Sequence, residues 1–273
     1  MNINQDRENA YLDLLLKPIR ICADYKPGFG RGKRDGLTLE QFRALYKNDQ
    51  FYQWFGLDHL MMYTAHRIAG GMTSIYRQIG IGCEKLFRTV LRDALGLSDQ
   101  DVIWSYKVTT SSGQERMLSL DGRVLIESIA HKDKQDIFRE WMRKSAERLG
   151  VDPGIINTLK EVVFEVRQGY KSKDAKRQNA DIANAATAYI HAYLPCAAIL
   201  STQIDNDILK RYQRERWVVI TGERKDDPFT STYAFARQII GYDLEAFFKK
   251  HCEDLRREVV SVLESLLSSE DER

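Results

Sequence analysis

The sequence predicts a mixed α/β fold, in which a central β-sheet is flanked by helices and preceded by a helical N-terminal part. Apolar residues recur at helical spacing from Leu37 to Leu97, the pattern changes to period two after Val102, and short continuous apolar runs follow. No repeat or linker divides the 273 residues. We therefore expect a helical region at 1–74 that packs on a core at 75–273.

The predicted core begins with a helix over Ile75–Leu95 and continues with paired strands. Val102–Val108 is rich in β-branched and aromatic residues, and the turn-forming Ser111–Gly113 separates it from a second apolar run, Met117–Ile129. The remaining predicted elements are, in order, a helix at Asp133–Leu149, a strand at Val162–Gln168, a helix at Asn179–Tyr193, strands at Cys196–Leu200 and Trp217–Ile220, and a helix at Asp243–Leu267.

Composition excludes several classes of protein. The formal charge of +2, from 41 basic and 39 acidic residues, gives the whole chain no strong attraction for a polyanion. Four cysteines without metal-ligand spacing, and an N-terminus without an apolar segment, indicate a soluble, cytoplasmic protein with reduced thiols and no membrane association. The sequence also lacks a P-loop, a dinucleotide fingerprint, a nucleophile elbow and paired metal-binding histidines.

The strand at Val162–Gln168 carries two charged residues among apolar ones. Strand alternation places Glu165 and Arg167 on the same face, where either ion without a partner would be costly to bury. Three interpretations are open: the two charges neutralise one another, they face solvent, or they form part of a functional site.

A basic segment follows this strand directly. The fourteen residues Glu165–Gln178 hold five positive and two negative side chains, a local charge of +3. Gly169 allows the chain to turn sharply and Tyr170 adds an aromatic ring. A cluster of this kind binds the phosphates of DNA, unless it is only a solvated loop.

A hydrolytic phosphodiester site needs a second carboxylate to bind a divalent cation. Asp121 is the first choice, because it enters the strand expected beside that of Glu165. Asp121-Gly122 is also a common tight-turn dipeptide. Asp152 is the competing candidate.

Asp121 followed by Glu165-Val166-Arg167 resembles the signature of the PD-(D/E)xK nucleases, and the block Glu165–Asp181 (EVRQGYKSKDAKRQNAD) is similar to one in type II restriction endonucleases. The resemblance implies an αβββαβ core and Mg²⁺-dependent, sequence-specific cleavage of double-stranded DNA by a homodimer. It also implies a short palindromic target of the GGNCC kind. The same residues leave open a DNA-binding protein without catalysis, or a repair-type nuclease on the same scaffold.

The resemblance assigns Asp121 and Glu165 as catalytic metal ligands, with Glu84 as a further carboxylate near the metal. Arg167 stands where the family usually has lysine; it is always protonated and so stabilises charge instead of acting as a base. Lys171 is the alternative for the missing lysine. The residues expected to contact DNA are Gln168, Tyr170, Lys173, Lys176, Arg177, and Arg31 and Lys33 of a glycine-rich basic loop.

Overall fold

The structure is a computed structural model that describes residues 3–29, 36–47, 49–109, 114–169 and 184–268. The chain divides into two compact units, Met1–Gly82 with Lys250–Arg273, and Cys83–Lys249. The second unit contains a mixed four-stranded sheet, so the predicted α/β class is confirmed. The predicted boundary at residue 74 stays a prediction, although the compact units group the C-terminal helix with the N-terminal helices.

Helices make up most of the described residues, and none of those described is both long and apolar enough to cross a membrane. The first unit is built around two apolar clusters, one centred on Ile19, Ile75 and Leu266 and the other on Phe42 and Tyr63. In chain order the helices are α1 (Ile3–Arg20), α2 (Leu39–Lys47), α3 (Gln50–Trp54), α4 (Leu60–Leu95), α5 (Lys132–Arg148), α6 (Pro153–Ile156), α7 (184–190), α8 (Asn206–Arg214), α9 (Thr232–Phe235), α10 (Leu244–Lys250) and α11 (Cys252–Leu267).

Six strands form two sheets among the described residues. They are β1 (Trp104–Thr109), β2 (Glu115–Leu120), β3 (Gly122–Leu125), β4 (Glu161–Arg167), β5 (Tyr193–Ile199) and β6 (Val218–Ile220). β1 and β2 pair antiparallel, while the larger sheet has the order β3-β4-β5-β6. In the larger sheet β3 is antiparallel to β4, and β4, β5 and β6 are parallel. Asp121 alone separates β2 from β3, so the apolar run predicted at Met117–Ile129 supplies one strand to each sheet.

β4 and β5 are covered on both faces, as their nearly continuous apolar sequences require. On one face Phe164 packs against Phe87 of α4 and Phe235 of α9. On the other face Val163 belongs to a buried cluster with Trp217 and residues of α7 and α8. The charged residues of β4 are therefore held on a rigid, buried strand.

One helix ends earlier than the sequence predicts. The helix expected at Asn179–Tyr193 is described as helical at 184–190 and ends before Ala192, whose φ of 63° lies in the left-handed region. Tyr193 then starts β5, where it pairs with Glu161 in register. Strand pairing therefore outweighs helical spacing at this boundary.

Gly222 lies where the chain after β6 passes the chain after β5. A Cβ atom there would lie 2.2 Å from the main-chain oxygen of Leu200, so the backbone would have to move. We expect Gly222→Ala to lower the free energy of unfolding by about 1–3 kcal/mol. Gly80→Ala is the control: its Cβ would meet nothing within 4 Å, and alanine stabilises a helix interior by about 0.5–1 kcal/mol. Equal stability of the two variants in denaturant unfolding would contradict this packing.

Candidate active site

Asp121 and Glu165 lie beside one another across the β3–β4 pair. Gly122 is opposite Phe164 in register, which places Asp121, at the bend before β3, next to the carboxyl end of β4. One carboxylate oxygen of Asp121, Oδ2, accepts a hydrogen bond of 2.8 Å from the main-chain N–H of Val166. The bend thus fixes the carboxylate against the strand that carries Glu165, and the hairpin turn considered for Asp121-Gly122 does not occur.

Arg167, the last residue of β4, joins this pair to a third carboxylate. Its guanidinium is in direct ionic contact with Glu165, and Nη1 lies 3.7 Å from Asp121 Oδ2 and 3.8 Å from Glu84 Oε1. Glu84 belongs to α4, one turn before Arg88. The structure therefore brings together Glu84, Asp121, Glu165 and Arg167, all of which the sequence singles out.

Arg88 completes the cluster and was not among the residues singled out from the sequence. Its Nη1 donates a hydrogen bond of 3.3 Å to the main-chain oxygen of Asp121. The sequence could have indicated Arg88, because it follows Glu84 by four positions and so lies on the same face of the helix. Three carboxylates and two guanidinium groups meet here, and their formal sum is negative.

The cluster is buried on one side and reached by solvent on the other. Only 5% of the Glu165 side chain is exposed, against 21% for Asp121 and 28% for Glu84. Among the described residues, no three His, Cys, Asp or Glu side chains are arranged so that they could hold a metal ion as they stand. In this arrangement the carboxylates are held by the Arg167 guanidinium.

A second ion pair lies on the same face of β4, at the other end of the strand. Glu161 Oε2 lies 2.8 Å from Arg123 Nε, and only 4% of the Glu161 side chain is exposed. Burial raises the pKa of the Glu161 carboxyl, an effect that Arg123 partly offsets. This pair resembles Glu165–Arg167 in burial and charge but lies at the opposite end of β4 from the carboxylates around Arg167, which makes it a matched control.

The end of β4 lies beside the end of β5. The N–H of Leu200 donates to the Arg167 main-chain oxygen at 2.8 Å, and a Cβ on Gly169 would lie 2.7 Å from Ser201 Oγ. Carboxyl ends of parallel strands are the usual place for a ligand in an open α/β sheet. Ser201 and its neighbours are thus close to the cluster, a proximity that no local sequence pattern reveals.

Most of the residues predicted to contact DNA lie outside the part of the chain that the structure describes. Gln168 directly follows β4 and is half-buried. Lys171, the predicted alternative for the missing lysine, lies outside the described part of the chain. So do the other residues predicted to contact DNA; they are Tyr170, Lys173, Lys176, Arg177, Arg31 and Lys33. Their assignment to DNA contact stays a prediction.

Asp152 has a local structural role. It is the N-cap of α6, and its Oδ1 accepts a hydrogen bond of 2.7 Å from the N–H of Gly154. Asp152 therefore lies in the segment before β4, whereas the cluster around Arg167 lies at the end of β4.

Asp121 and Asp152 were the two candidates for a metal ligand, and substitution of each should have a different effect on activity and stability. If Asp121 is the metal ligand that the resemblance implies, Asp121→Asn will abolish magnesium-dependent DNA cleavage. Asp152→Ala should retain cleavage and lose about 1 kcal/mol of stability with its helix cap. Cleavage rates and denaturant unfolding of both variants check this, and a cleaving Asp121→Asn protein would remove Asp121 from the site.

Comparison with models of protein families found no matching family, and comparisons with curated proteins and with solved structures found no match.

Proposed function

We propose that the protein is a type II restriction endonuclease that hydrolyses phosphodiester bonds at a specific sequence in double-stranded DNA, with Mg²⁺ as cofactor. The observation that carries the proposal is the convergence of Glu84, Asp121, Glu165 and Arg167 at the carboxyl end of β4. Partly buried carboxylates beside a cation, at the carboxyl end of a strand in an open α/β sheet, are more typical of a functional site than of a solvated loop.

The element order supports the proposal. The order αβββαβ that the resemblance implies can be traced through α4, β1, the bent strand formed by β2 and β3, β4, α7 and β5, with α5 and α6 inserted between β3 and β4. Asp121 lies within the second of these strands and Glu165 within the third, the positions that the resemblance assigns to the metal ligands. The basic segment after Gly169 would then follow the active site directly and bind DNA phosphates.

The residues present suit a magnesium ion. Mg²⁺ prefers carboxylate oxygens and is commonly held by one or two carboxylates together with substrate phosphates, which suits Asp121 and Glu165, with Glu84 nearby. The negative sum of the cluster also favours a cation. When bound, the ion would supply Lewis acidity toward the scissile phosphate.

Arg167 has a role that follows from its permanent charge. Its contacts with Asp121 and Glu84, at 3.7 and 3.8 Å, are longer than a direct hydrogen bond. The guanidinium would exchange these contacts for oxygens of the scissile phosphate and stabilise the negative charge that develops there. A general base must come from another group, and Lys171 is our candidate. Cleavage of a palindromic site would use two symmetry-related copies of this cluster in a homodimer.

One observation favours a second candidate, a DNA-binding protein without catalysis. Arg167 contacts all three carboxylates, so the cluster also has the composition of a structural ion-pair network. In such a protein Asp121→Asn would leave function unchanged. A repair-type nuclease would use the same cluster and differ in its substrate.

Incubation of the purified full chain with long duplex DNA and Mg²⁺ tests the proposal. Discrete fragments that disappear when EDTA is added are the expected result, and sequencing their ends would define the target, for which we propose a GGNCC-like palindrome. A smear of fragments would indicate nonspecific hydrolysis, and intact DNA that is nevertheless bound would favour the second candidate.

A further inference from the structure

An exposed aromatic surface lies on α3 and the residue that follows it, within the first compact unit. We call it the α3 surface, and its members are Phe51, Tyr52, Trp54 and Phe55. Phe51, Trp54 and Phe55 follow one another at helical spacing and are 58%, 76% and 67% exposed. The centre of the Phe51 ring lies 5.2 Å from that of Phe55 and 5.6 Å from that of Tyr52, so the rings form a continuous patch. None of these residues belongs to the candidate active site.

The α3 surface is anchored to an apolar core. The Tyr52 ring contacts that of Tyr46, and Tyr46 contacts the buried Phe42. Gln53 Nε2 donates a hydrogen bond of 2.6 Å to the main-chain oxygen of Lys47, which ties α3 to the end of α2. The exposed rings therefore need no rearrangement before they contact a partner.

The composition of the α3 surface indicates the kind of partner that covers it. The segment 50–57 holds no charged side chain, and interface centres are likewise rich in aromatic residues and poor in charged ones. Nucleic acids and anionic membranes are bound through Lys and Arg, which the segment lacks. The exposed Lys47 and Asp58 flank it with opposite charges. A neutral centre between charges of both signs is complementary to itself, as a contact with two-fold symmetry requires.

The area of the α3 surface suits a contact between two copies. Since an aromatic side chain offers roughly 150–250 Å², the exposed fractions leave on the order of 500 Å² of the four rings open to solvent. Two copies would bury about 1,000 Å² in total, which is more than most adventitious contacts and enough for a weak, specific dimer. Apolar patches of this size on a folded protein commonly mark interaction sites.

We propose that two copies of this chain associate through the α3 surface, with Trp54 as the anchor of the contact. Tryptophan is enriched among the residues that dominate interface energies, and Trp54 is the most exposed of the four rings. A contact of this area supports a dissociation constant on the order of 10 µM. The inference gives the homodimer proposed above a contact surface, but it does not rest on DNA cleavage and is tested without DNA.

Sedimentation equilibrium of the full chain, over concentrations that span this dissociation constant, should show monomer and dimer. Trp54→Asp should weaken association by at least about 100-fold, because it buries a charge without a partner in the contact. Trp54 is exposed, so the substitution leaves the core of the monomer unchanged. Ile190→Asp is the matched control: Ile190 is an 82% exposed apolar side chain of the other compact unit, and its substitution should leave association unchanged.

Fluorescence of Trp54 reports the contact directly. The other tryptophans, Trp104, Trp141 and Trp217, are buried, so acrylamide in the solvent quenches mainly Trp54. Quenching should fall as the protein concentration rises through the dissociation constant. A wild-type protein that stays monomeric, equal association of Trp54→Asp and Ile190→Asp, or quenching that does not change with concentration would each overturn the proposal.

Discussion

Glu165→Gln is expected to lower the rate of magnesium-dependent DNA cleavage by about 10³-fold. Glutamine preserves the size of the side chain and still accepts a hydrogen bond from Arg167, but it removes the negative charge that attracts the cation. Because Glu165 is buried at the end of β4, it does not lie on a surface where it would contact the DNA backbone. Binding of the target duplex, measured in Ca²⁺ or without metal, should therefore change little.

Glu161→Gln is the matched control for that experiment. Glu161 lies on the same strand and the same face, is equally buried and is paired with Arg123. Glutamine keeps the size of the side chain and can still accept a hydrogen bond from Arg123, which is partly exposed to solvent, so the variant should fold and cleave DNA at nearly the wild-type rate. Equal loss of cleavage in the two variants would show that Glu165 acts through the stability of β4, and not through its charge at the site.

Removal of Arg167 is expected to have the largest effect on stability. Arg167→Met leaves Glu84, Asp121 and the buried Glu165 without their shared cation, which should lower the free energy of unfolding by about 3–5 kcal/mol. Mg²⁺ should restore part of this loss, since removal of the guanidinium makes the charge around the three carboxylates more negative and so attracts a cation. Above the dissociation constant, each tenfold rise in Mg²⁺ should add about 1.4 kcal/mol.

Arg167→Lys tests whether a positive charge at this position is sufficient for stability and cleavage without the planar guanidinium group. Lysine restores a positive charge at a position where the resembling nucleases usually have it, so we expect stability near that of the wild type and retained cleavage. Arg143→Ala, on the exposed face of α5, should change stability by less than about 0.5 kcal/mol. Denaturant unfolding with and without Mg²⁺ measures all three variants, and a fully stable Arg167→Met protein without metal would contradict the contacts described at the site.

The main elements of the sheet could be predicted from local patterns, for reasons visible in the structure. β4 and β5 are covered on both faces, and this is what their nearly continuous apolar sequences require. Alternation along β4 also placed Glu165 and Arg167 on one face, where they are in contact. The ends of elements were less predictable. The left-handed Ala192 and the pairing of Tyr193 with Glu161 end the preceding helix before the predicted residue.

Which residues gather around Arg167 is decided by tertiary packing and could be predicted only in part from the sequence. Asp121 and Asp152 were both reasonable partners for Glu165 by sequence, and only the β3–β4 register distinguishes the aspartate beside the strand end from the one that caps α6. The contact of Arg88 with Asp121, and the proximity of Ser201 to Gly169, join residues distant in the chain. Neither hydrophobic periodicity nor a local motif indicates contacts between residues that are so far apart in the sequence.

The most direct test compares wild-type protein and Glu165→Gln on the same long duplex DNA with Mg²⁺. The proposed site predicts discrete fragments from the wild type and intact DNA from the variant under identical conditions. Fragments from both proteins, or intact DNA with both, would contradict the claim that the carboxylates gathered around Arg167 cleave DNA.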